Sequence, residues 1–141
     1  MKNRLLSGIV FLIIGFLIAI GPKTIFAVCE PMEDGHYMKC HWAAQAELGV
    51  GLVIVLLAVL VLVIVSRQIR IGLNIGITVL ALLAVLIPTE LIGVCGGEHM
   101  QCHSLTRPVL VLLGVVGILY SLVNVVYLWK NKEKELDSNE K

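Results

Sequence analysis

Four long apolar segments divide the chain, and shorter polar segments separate them. The apolar segments cover residues 5–21, 48–65, 71–87 and 109–128. Each holds about 17 to 20 residues, which at ~1.5 Å per residue is enough for most of a ~30 Å hydrocarbon layer. Because backbone amides cannot stay unpaired in lipid, each segment must be a helix or a strand of a closed barrel. The segments lack the alternation of barrel strands. The pattern therefore predicts an all-α integral membrane protein with four transmembrane helices.

The polar segments after the first and third apolar segments repeat one motif. In each, a proline lies seven residues before a cysteine, and a Met-x-Cys-His sequence follows. The repetition predicts two tandem helix–loop–helix repeats in a single membrane domain, residues 1–141. Repeat one covers residues 1–66 with loop 22–47, and repeat two covers residues 67–130 with loop 88–107. Two repeats with the same orientation bring both loops together over one end of a four-helix bundle.

The distribution of charge predicts the orientation of the helices. Seven basic residues lie at one set of helix ends: Lys2, Arg4, Arg67, Arg70, Lys130, Lys132 and Lys134. At the opposite ends, the few basic residues are offset by Glu and Asp. The positive-inside rule therefore predicts cytoplasmic N and C termini and extracytoplasmic loops in the cell membrane. The charged residues 131–141 are expected to form a disordered cytoplasmic tail. A net charge of only +1 gives no electrostatic reason to expect binding to nucleic acid.

All four cysteines lie in the two loops, where an extracytoplasmic location favours disulfide bonds. Four cysteines allow three pairings. Pairing within each loop, Cys29 with Cys40 and Cys95 with Cys102, preserves the symmetry of the repeat and is favoured over pairing between loops. Two such disulfides would hold short loops that have little core of their own. They do not explain why a histidine follows each second cysteine.

The same loops carry the ligand types that soft metals prefer. Thiolate, thioether and imidazole groups together suit Cu(I) or Zn(II). The candidate ligands are His36, Met38, Cys40, His41, His99, Met100, Cys102 and His103. Cys-x-x-Cys-His is absent, which excludes the usual covalent c-type haem attachment. Non-covalent haem with His or Met axial ligands remains an alternative to a metal ion.

An enzyme is the less favoured interpretation, and its chemistry would be thiol–disulfide exchange. The layout is similar to bacterial membrane oxidoreductases that reoxidise periplasmic disulfide catalysts with quinone. Those proteins also have four helices, cytoplasmic termini and a cysteine pair in each of two outer loops. Their first pair is Cys-x-x-Cys, whereas ten residues separate Cys29 from Cys40 in this chain. The wider spacing lacks the geometry that makes one thiol acidic and reactive.

Several small or polar residues in the apolar segments predict helix contacts. Asn74 and Thr78 are expected to hydrogen-bond to a neighbouring helix, and Gly72 and Gly76 to allow close approach. The same is expected of Gly49 with Ala46. One face of the fourth helix carries Gly114, Gly117, Ser121 and Asn124. That face predicts packing inside the bundle or, alternatively, an interface with a partner subunit or a second copy.

Glu47 lies where the second apolar segment begins. We expect its negative carboxylate to interact favourably with the positive N-terminal end of the second helix. Lining a polar site between helices is the alternative.

Residues 40–47, Cys-His-Trp-Ala-Ala-Gln-Ala-Glu after Met38, resemble a bacterial family of small membrane proteins known as domain of unknown function 4418. The resemblance extends over all four predicted helices. It implies a four-helix membrane protein that works beside a transporter of the ABC type, and it assigns no catalytic residue. The function predicted first is therefore an accessory membrane subunit with two disulfide-bonded loops. The alternatives are a protein that binds Cu, Zn or haem, and a thiol oxidoreductase.

Overall fold

The chain folds as a bundle of four helices in a computed structural model that describes residues 2–25, 39–93 and 102–139. Side chains are described at residues 3–25, 39, 41–93 and 104–131. The helices are α1 (Lys2–Thr24), α2 (Lys39–Val63), α3 (Arg67–Leu86) and α4 (Arg107–Asn139). A π-helical turn, Ile87–Leu91, ends α3, and a second π-helical turn, Cys102–Thr106, precedes α4. The described residues contain no strand, so the predicted all-α architecture is confirmed.

Four helical segments are long and apolar enough to cross a membrane, and those of α3 and α4 include residues of the adjoining π-helical turns. The segments are Asn3–Thr24, His41–Val63, Arg67–Leu91 and Ser104–Asn131, with mean hydropathy between 2.4 and 2.9. Only 28% to 50% of the residues in each segment are buried inside the protein. The remaining faces present Leu, Ile and Val to the surroundings, as helices in lipid do. The prediction of four transmembrane helices is confirmed.

Three predicted boundaries are corrected by the structure. Helix α2 begins at Lys39, so the predicted first loop, 22–47, is too long at both ends. The predicted second loop, 88–107, overlaps the π-helical turn Ile87–Leu91 and contains the turn Cys102–Thr106. Helix α4 continues to Asn139, although a disordered tail was expected from residue 131. Hydropathy marks the part of a helix that lipid surrounds, whereas a helix already formed extends into polar sequence without a new nucleation cost.

The helices pack most closely in two pairs, and each pair consists of two helices that follow one another in the chain. Helix α1 packs most closely against α2, and α3 against α4, while weaker contacts of α2 with α3 and of α1 with α4 close the bundle. The start of α1, the α2–α3 connection and the last part of α4 lie at one end, which we call the termini end. The opposite end, where the Cys/His loops attach, we call the loop end. Helices α2 and α4 therefore occupy diagonal positions.

Glycines allow the close approach within each helix pair. A Cβ atom built on Gly51 would lie 2.5 Å from the backbone nitrogen of Ala19, so α2 has no room for a side chain there. In the second pair, a Cβ atom on Gly114 would lie 3.0 Å from the carbonyl oxygen of Ala81. Because the axes come this near, neighbouring side chains of both helices interlock.

The glycines of α2 and α3 that were predicted to make close contacts, Gly49, Gly72 and Gly76, do not make them. No heavy atom lies within 4 Å of a Cβ atom built on Gly49 or Gly72, and both residues are exposed. A Cβ atom built on Gly76 would have only Leu57 Cδ1 within 4 Å, at 3.7 Å. That prediction was wrong because a small-xxx-small spacing does not say which face of a helix it occupies.

Apolar side chains close the middle of the bundle. Phe11, Ile18, Ile54 and Ile77 are each 1% exposed or less. The ring of Phe11 meets the ring of Tyr120 edge to face, with centroids 5.3 Å apart and planes at 73°. This geometry is the favourable one for aromatic pairs. Thr78 and Ser121, which follow Ile77 and Tyr120 in the sequence, form a hydrogen bond close to this level of the bundle.

Candidate functional site

A buried carboxylate lies at the loop end of the bundle. Glu47 is fully buried, and neither of its carboxylate oxygens has a hydrogen-bond partner within the described structure. Ala43 and Val50, about one turn before and after it on α2, belong to a core cluster with Ile18 of α1 and Ile87 at the end of α3. The carboxylate therefore lies in apolar surroundings between helices.

This position corrects the prediction for Glu47. Because α2 begins at Lys39, Glu47 follows the first two helical turns rather than opening the helix. The helix N-terminus acts on charges within about the first turn and cannot account for a carboxylate at this depth. Glu47 does lie between helices, as the alternative supposed, but its described neighbours are apolar rather than a polar site. An ionisable residue inside a membrane bundle marks a functional site by default.

Two prolines of the repeated motif frame the loop end. Pro22 near the end of α1 and Pro88 at the end of α3 are both almost completely buried. A proline has no amide hydrogen to donate to the preceding helical turn. One or two residues after each proline, a threonine hydroxyl donates to a backbone carbonyl four residues back: Thr24 to Ile20 O at 3.0 Å and Thr89 to Val85 O at 2.8 Å. Both helices thus have a buried proline and a bonded threonine near their ends, but only α3 ends in a π-helical turn.

The helix that leads into the second loop also has a defined end. The amide of Ile92 donates to Ile87 O at 3.0 Å, which is the wider spacing of a π-helical turn. Gly93 then adopts a φ of 73°, and its amide donates to the same carbonyl at 3.2 Å. Glycine takes this left-handed conformation without steric cost. The chain leaves α3 for the second Cys/His loop at this residue.

Most predicted ligand and disulfide residues fall outside the described residues. Cys29, His36, Met38, Cys95, His99 and Met100 belong to this group. The backbone of Cys40 is the second residue of α2, and Cys102 and His103 open the π-helical turn before α4. His41 is half-buried and lies edge-on to Trp42, with ring centroids 6.0 Å apart. Both Cys-His pairs therefore begin the second helix of their repeat, at the loop end.

The chemistry predicted for the loops stays a prediction. Among the described residues, no three His, Cys, Asp or Glu side chains are arranged to hold a metal ion. The side chains of Cys40, Cys102 and His103 lie outside the described residues. The disulfide pairing, the soft-metal site and the haem site are thus hypotheses about the loop end.

A network of buried polar side chains joins three helices towards the termini end. Asn124 of α4 donates to Asn74 Oδ1 of α3 at 3.0 Å, and Asn3 of α1 donates to Asn124 Oδ1 at 3.2 Å. Ser121 donates to the backbone oxygen of Asn74 at 2.6 Å, and the Thr78 hydroxyl lies 2.9 Å from Ser121 Oγ. The predicted cross-helix hydrogen bonds of Asn74 and Thr78 are confirmed. In lipid, such bonds stabilise helix association by about 0.6 kcal/mol each on average.

The small and polar face of α4 packs inside the bundle. Gly114, Gly117, Ser121 and Asn124 are all buried. The two glycines lie against Ala81 of α3, and the two polar residues take part in the network with Asn74. Of the two interpretations of this face, internal packing agrees with the structure. A partner subunit has no free surface here to contact.

The fold and these polar ends define the class of the protein. Four apolar helices, with no strand among the described residues, make it an all-helical multi-pass membrane protein. A family model described as a domain of unknown function, DUF4418, matches residues 11–127. The chain therefore belongs to this family, as the resemblance of residues 40–47 implied. No curated protein and no solved structure matches the chain.

Two buried ionisable groups were not recognised as such from the sequence. Glu47 was placed at a helix start, and Arg70 was counted only as a charge that sets orientation. A sequence signal for Glu47 exists, since it shares the helical spacing of Ala43, Val50 and Ile54, which all face the core. For Arg70, the same spacing with Asn74 and Ile77 places it on the buried face of α3.

Proposed function

We propose that this protein is an accessory subunit of a transporter-type membrane complex, with both Cys/His loops extracytoplasmic and each closed by a disulfide bond. The observation that carries the proposal is the apolar closure of the bundle. Phe11, Ile18, Ile54 and Ile77 fill its middle. A protein that moves polar solutes by itself needs polar groups along a path through the membrane. Transport involving this chain would therefore use a pathway in a partner protein.

Disulfide bonds fit the place of the cysteines in the repeat. Cys40 and Cys102 are the equivalent cysteines of the two repeats, and both begin a second helix at the loop end. A bond from Cys40 to Cys29, and another from Cys102 to Cys95, would close each loop onto its own helix pair. Such closure limits the freedom of the unfolded loop and so stabilises the folded one. The loops would then present a fixed surface to the partner.

Native mass spectrometry of the protein isolated from its own membranes tests this proposal. Purification in a mild detergent, without reductant or chelator, should give a complex that contains this chain and an ABC-type transporter subunit in fixed stoichiometry. After dissociation, the chain should have the mass of the sequence less two hydrogens for each of two disulfides. Peptide mapping should identify the within-loop pairs. Isolation of this chain only alone or with copies of itself, in several mild detergents, would contradict the accessory role.

A second candidate function rests on the unpartnered carboxylate of Glu47. A buried carboxylate without hydrogen bonds is costly unless a cation or a proton neutralises it. Glu47 lies seven residues, about two helical turns, after Cys40 and on the same helix as His41. A Cu or Zn ion held by the two Met-x-Cys-His segments would place positive charge at this end. The same argument applies to a non-covalent haem.

The same spectra separate the second candidate from the first. Metal binding predicts free thiols and a metal or haem adduct, which His41→Ala combined with His103→Ala should abolish. Gln45→Ala, an exposed change on the same helix, should leave the adduct intact and serves as the matched control. A fully oxidised chain without adduct would exclude the second candidate. Mixed disulfides with another protein, trapped by single Cys→Ser changes, would instead identify a thiol oxidoreductase.

A further inference from the structure

Glu47 places an ionisable carboxyl group in a part of the bundle that does not stabilise a charge. The residue is fully buried, and neither carboxyl oxygen has a hydrogen-bond partner in the described structure. On α2, Ala43, Val50 and Ile54 share its face of the helix and belong to one apolar core cluster. Burying an ionised carboxylate in such surroundings costs so much free energy that the group takes up a proton instead.

The charged groups of the loop end do not pair with this carboxyl group. Those that the structure describes there are exposed or half-buried: Lys23 of α1, Lys39 and His41 of α2, Glu90 after α3, and Arg107 of α4. Lys23 Nζ donates to Gln45 Oε1 at 3.4 Å, and no described group bonds to either oxygen of Glu47. Helices α1 and α3 both end at the loop end, so the negative ends of two helix dipoles lie there. These ends disfavour a further negative charge.

The two buried prolines supply acceptors for a neutral carboxylic acid. A protonated carboxyl group is a hydrogen-bond donor and needs an acceptor when it is buried. Because Pro22 and Pro88 have no amide hydrogen, the carbonyl groups four residues before them, those of Ile18 and Ala84, lack their usual helical donor. Ile18 and Ala84 belong to the same buried cluster as the neighbours of Glu47 on α2.

We propose that Glu47 is a proton-binding site within the bundle. At neutral pH it is a carboxylic acid, and its hydroxyl group donates to the backbone carbonyl of Ile18 or Ala84. The site needs no metal ion, and the proposal does not rest on the accessory role or on the loop ligands considered above. It makes Glu47 the group through which this membrane protein binds and releases one proton.

Infrared difference spectroscopy of the full chain in lipid nanodiscs tests the protonation at neutral pH. The spectrum of the parent protein minus that of Glu47→Gln should contain the C=O stretching band of a carboxylic acid, which shifts when H2O is replaced by D2O. The matched control is Glu90→Gln, which removes an exposed carboxyl group at the same end. The corresponding difference spectrum should contain carboxylate bands alone.

Dicyclohexylcarbodiimide, an apolar reagent that reacts with protonated carboxyl groups, gives a second readout. Mass spectrometry should find one reagent molecule on the peptide that contains Glu47, both in the parent protein and in Glu90→Gln. Glu47→Gln should lose this modification. An excess of sodium chloride in place of choline chloride should leave the modification unchanged, because no metal ion competes with the proton.

Pro22→Ala and Pro88→Ala test the acceptors. Each change returns an amide hydrogen that competes for the carbonyl group of Ile18 or Ala84. The acid band should therefore shift in frequency in at least one of the two variants. Pro108→Ala, an exposed change in the first turn of α4, should leave the band where it is.

Three outcomes would overturn the proposal. One is a loss of carboxylate bands, rather than of an acid band, in Glu47→Gln. Another is protection of Glu47 from the carbodiimide by sodium ions, which would mean that the site holds a metal ion. The third is an acid band that is unchanged in both Pro22→Ala and Pro88→Ala while circular dichroism shows native helix content, since this would exclude the two carbonyl acceptors. The infrared band decides the protonation state without requiring that a reagent reach the site.

Discussion

The contact between Gly51 and Ala19 gives a sharp test of how the first helix pair packs. In Gly51→Ala, the new methyl carbon would lie 2.5 Å from Ala19 N and 2.7 Å from Ala19 Cα. Favourable contact between such atoms begins at about 3.5 Å, so α1 and α2 must separate by roughly 1 Å. Overfilling a packed interior in this way typically costs about 1–3 kcal/mol. Replacing glycine by alanine in a helix also contributes about 1 kcal/mol of stabilisation.

Gly49→Ala is the matched control for this prediction. Gly49 lies two residues earlier on the same helix, and a Cβ atom there meets no heavy atom within 4 Å. The gain in helix propensity is common to both variants, so it cancels when they are compared. The difference in free energy of unfolding between the two variants should therefore be about 1–3 kcal/mol, with Gly51→Ala less stable.

Unfolding in mixed micelles of mild detergent and sodium dodecyl sulfate, followed by circular dichroism, measures this difference. Both variants are first checked for native helix content at low dodecyl sulfate. If the two free energies agree within about 0.5 kcal/mol, the size of an ordinary surface effect, then α1 and α2 are not in contact at Gly51. A Gly49→Ala variant that is the less stable of the two would refute the assigned lipid-facing and helix-facing sides of α2.

Further predictions concern the polar groups at the two ends. In a double-mutant cycle of Asn74→Ala and Asn124→Ala, the free energies of unfolding should give a coupling energy between the two residues of about 0.6–1.7 kcal/mol. If the two single losses of stability simply add in the double variant, the cross-helix hydrogen bond is absent. Glu47→Gln should be at least as stable as the parent protein at neutral pH, because it removes an ionisable group without a described partner. If the free energy of unfolding falls by more than about 1 kcal/mol in the same assay, the carboxyl group has a specific partner. A membrane-impermeant maleimide should label reduced Cys29 in intact cells but label Ser66→Cys, in a cysteine-free background, only after permeabilisation. The reverse labelling would invert the predicted orientation.

Much of the fold was predictable because lipid restricts the alternatives. A long apolar segment in a membrane must satisfy its own backbone, and this predicts a helix without knowledge of its neighbours. The duplicated Pro-to-Cys motif predicts two helix–loop–helix units, and this division stays a prediction. Asn74 and Thr78 were correctly expected to bond across helices, since a polar group in an apolar segment needs a partner.

The glycines show where prediction from spacing fails. Gly72 and Gly76 satisfy the small-xxx-small pattern without a close contact, whereas Gly51, which was not predicted, lies against the backbone of Ala19. Spacing along a helix says which residues share a face. In an almost uniformly apolar helix, however, every face has the same composition, so the sequence does not show which face meets a neighbouring helix. In water, the polar residues would mark the outer face. In lipid, the outer face is as apolar as the core, so the signal is lost.

The sequence by itself determined that lipid surrounds this protein and that it has four membrane-spanning helices. It also showed that one motif occurs twice and that Cys and His are grouped beside two helix starts. These properties follow from composition and from the need of each backbone amide for a partner in lipid. Only the tertiary structure decided which glycines let helices meet, and which ionisable groups are buried. Burial belongs to the arrangement of several helices, and so neither Glu47 in its apolar surroundings nor Arg70 beside an arginine-lined cavity could be recognised from one helix alone.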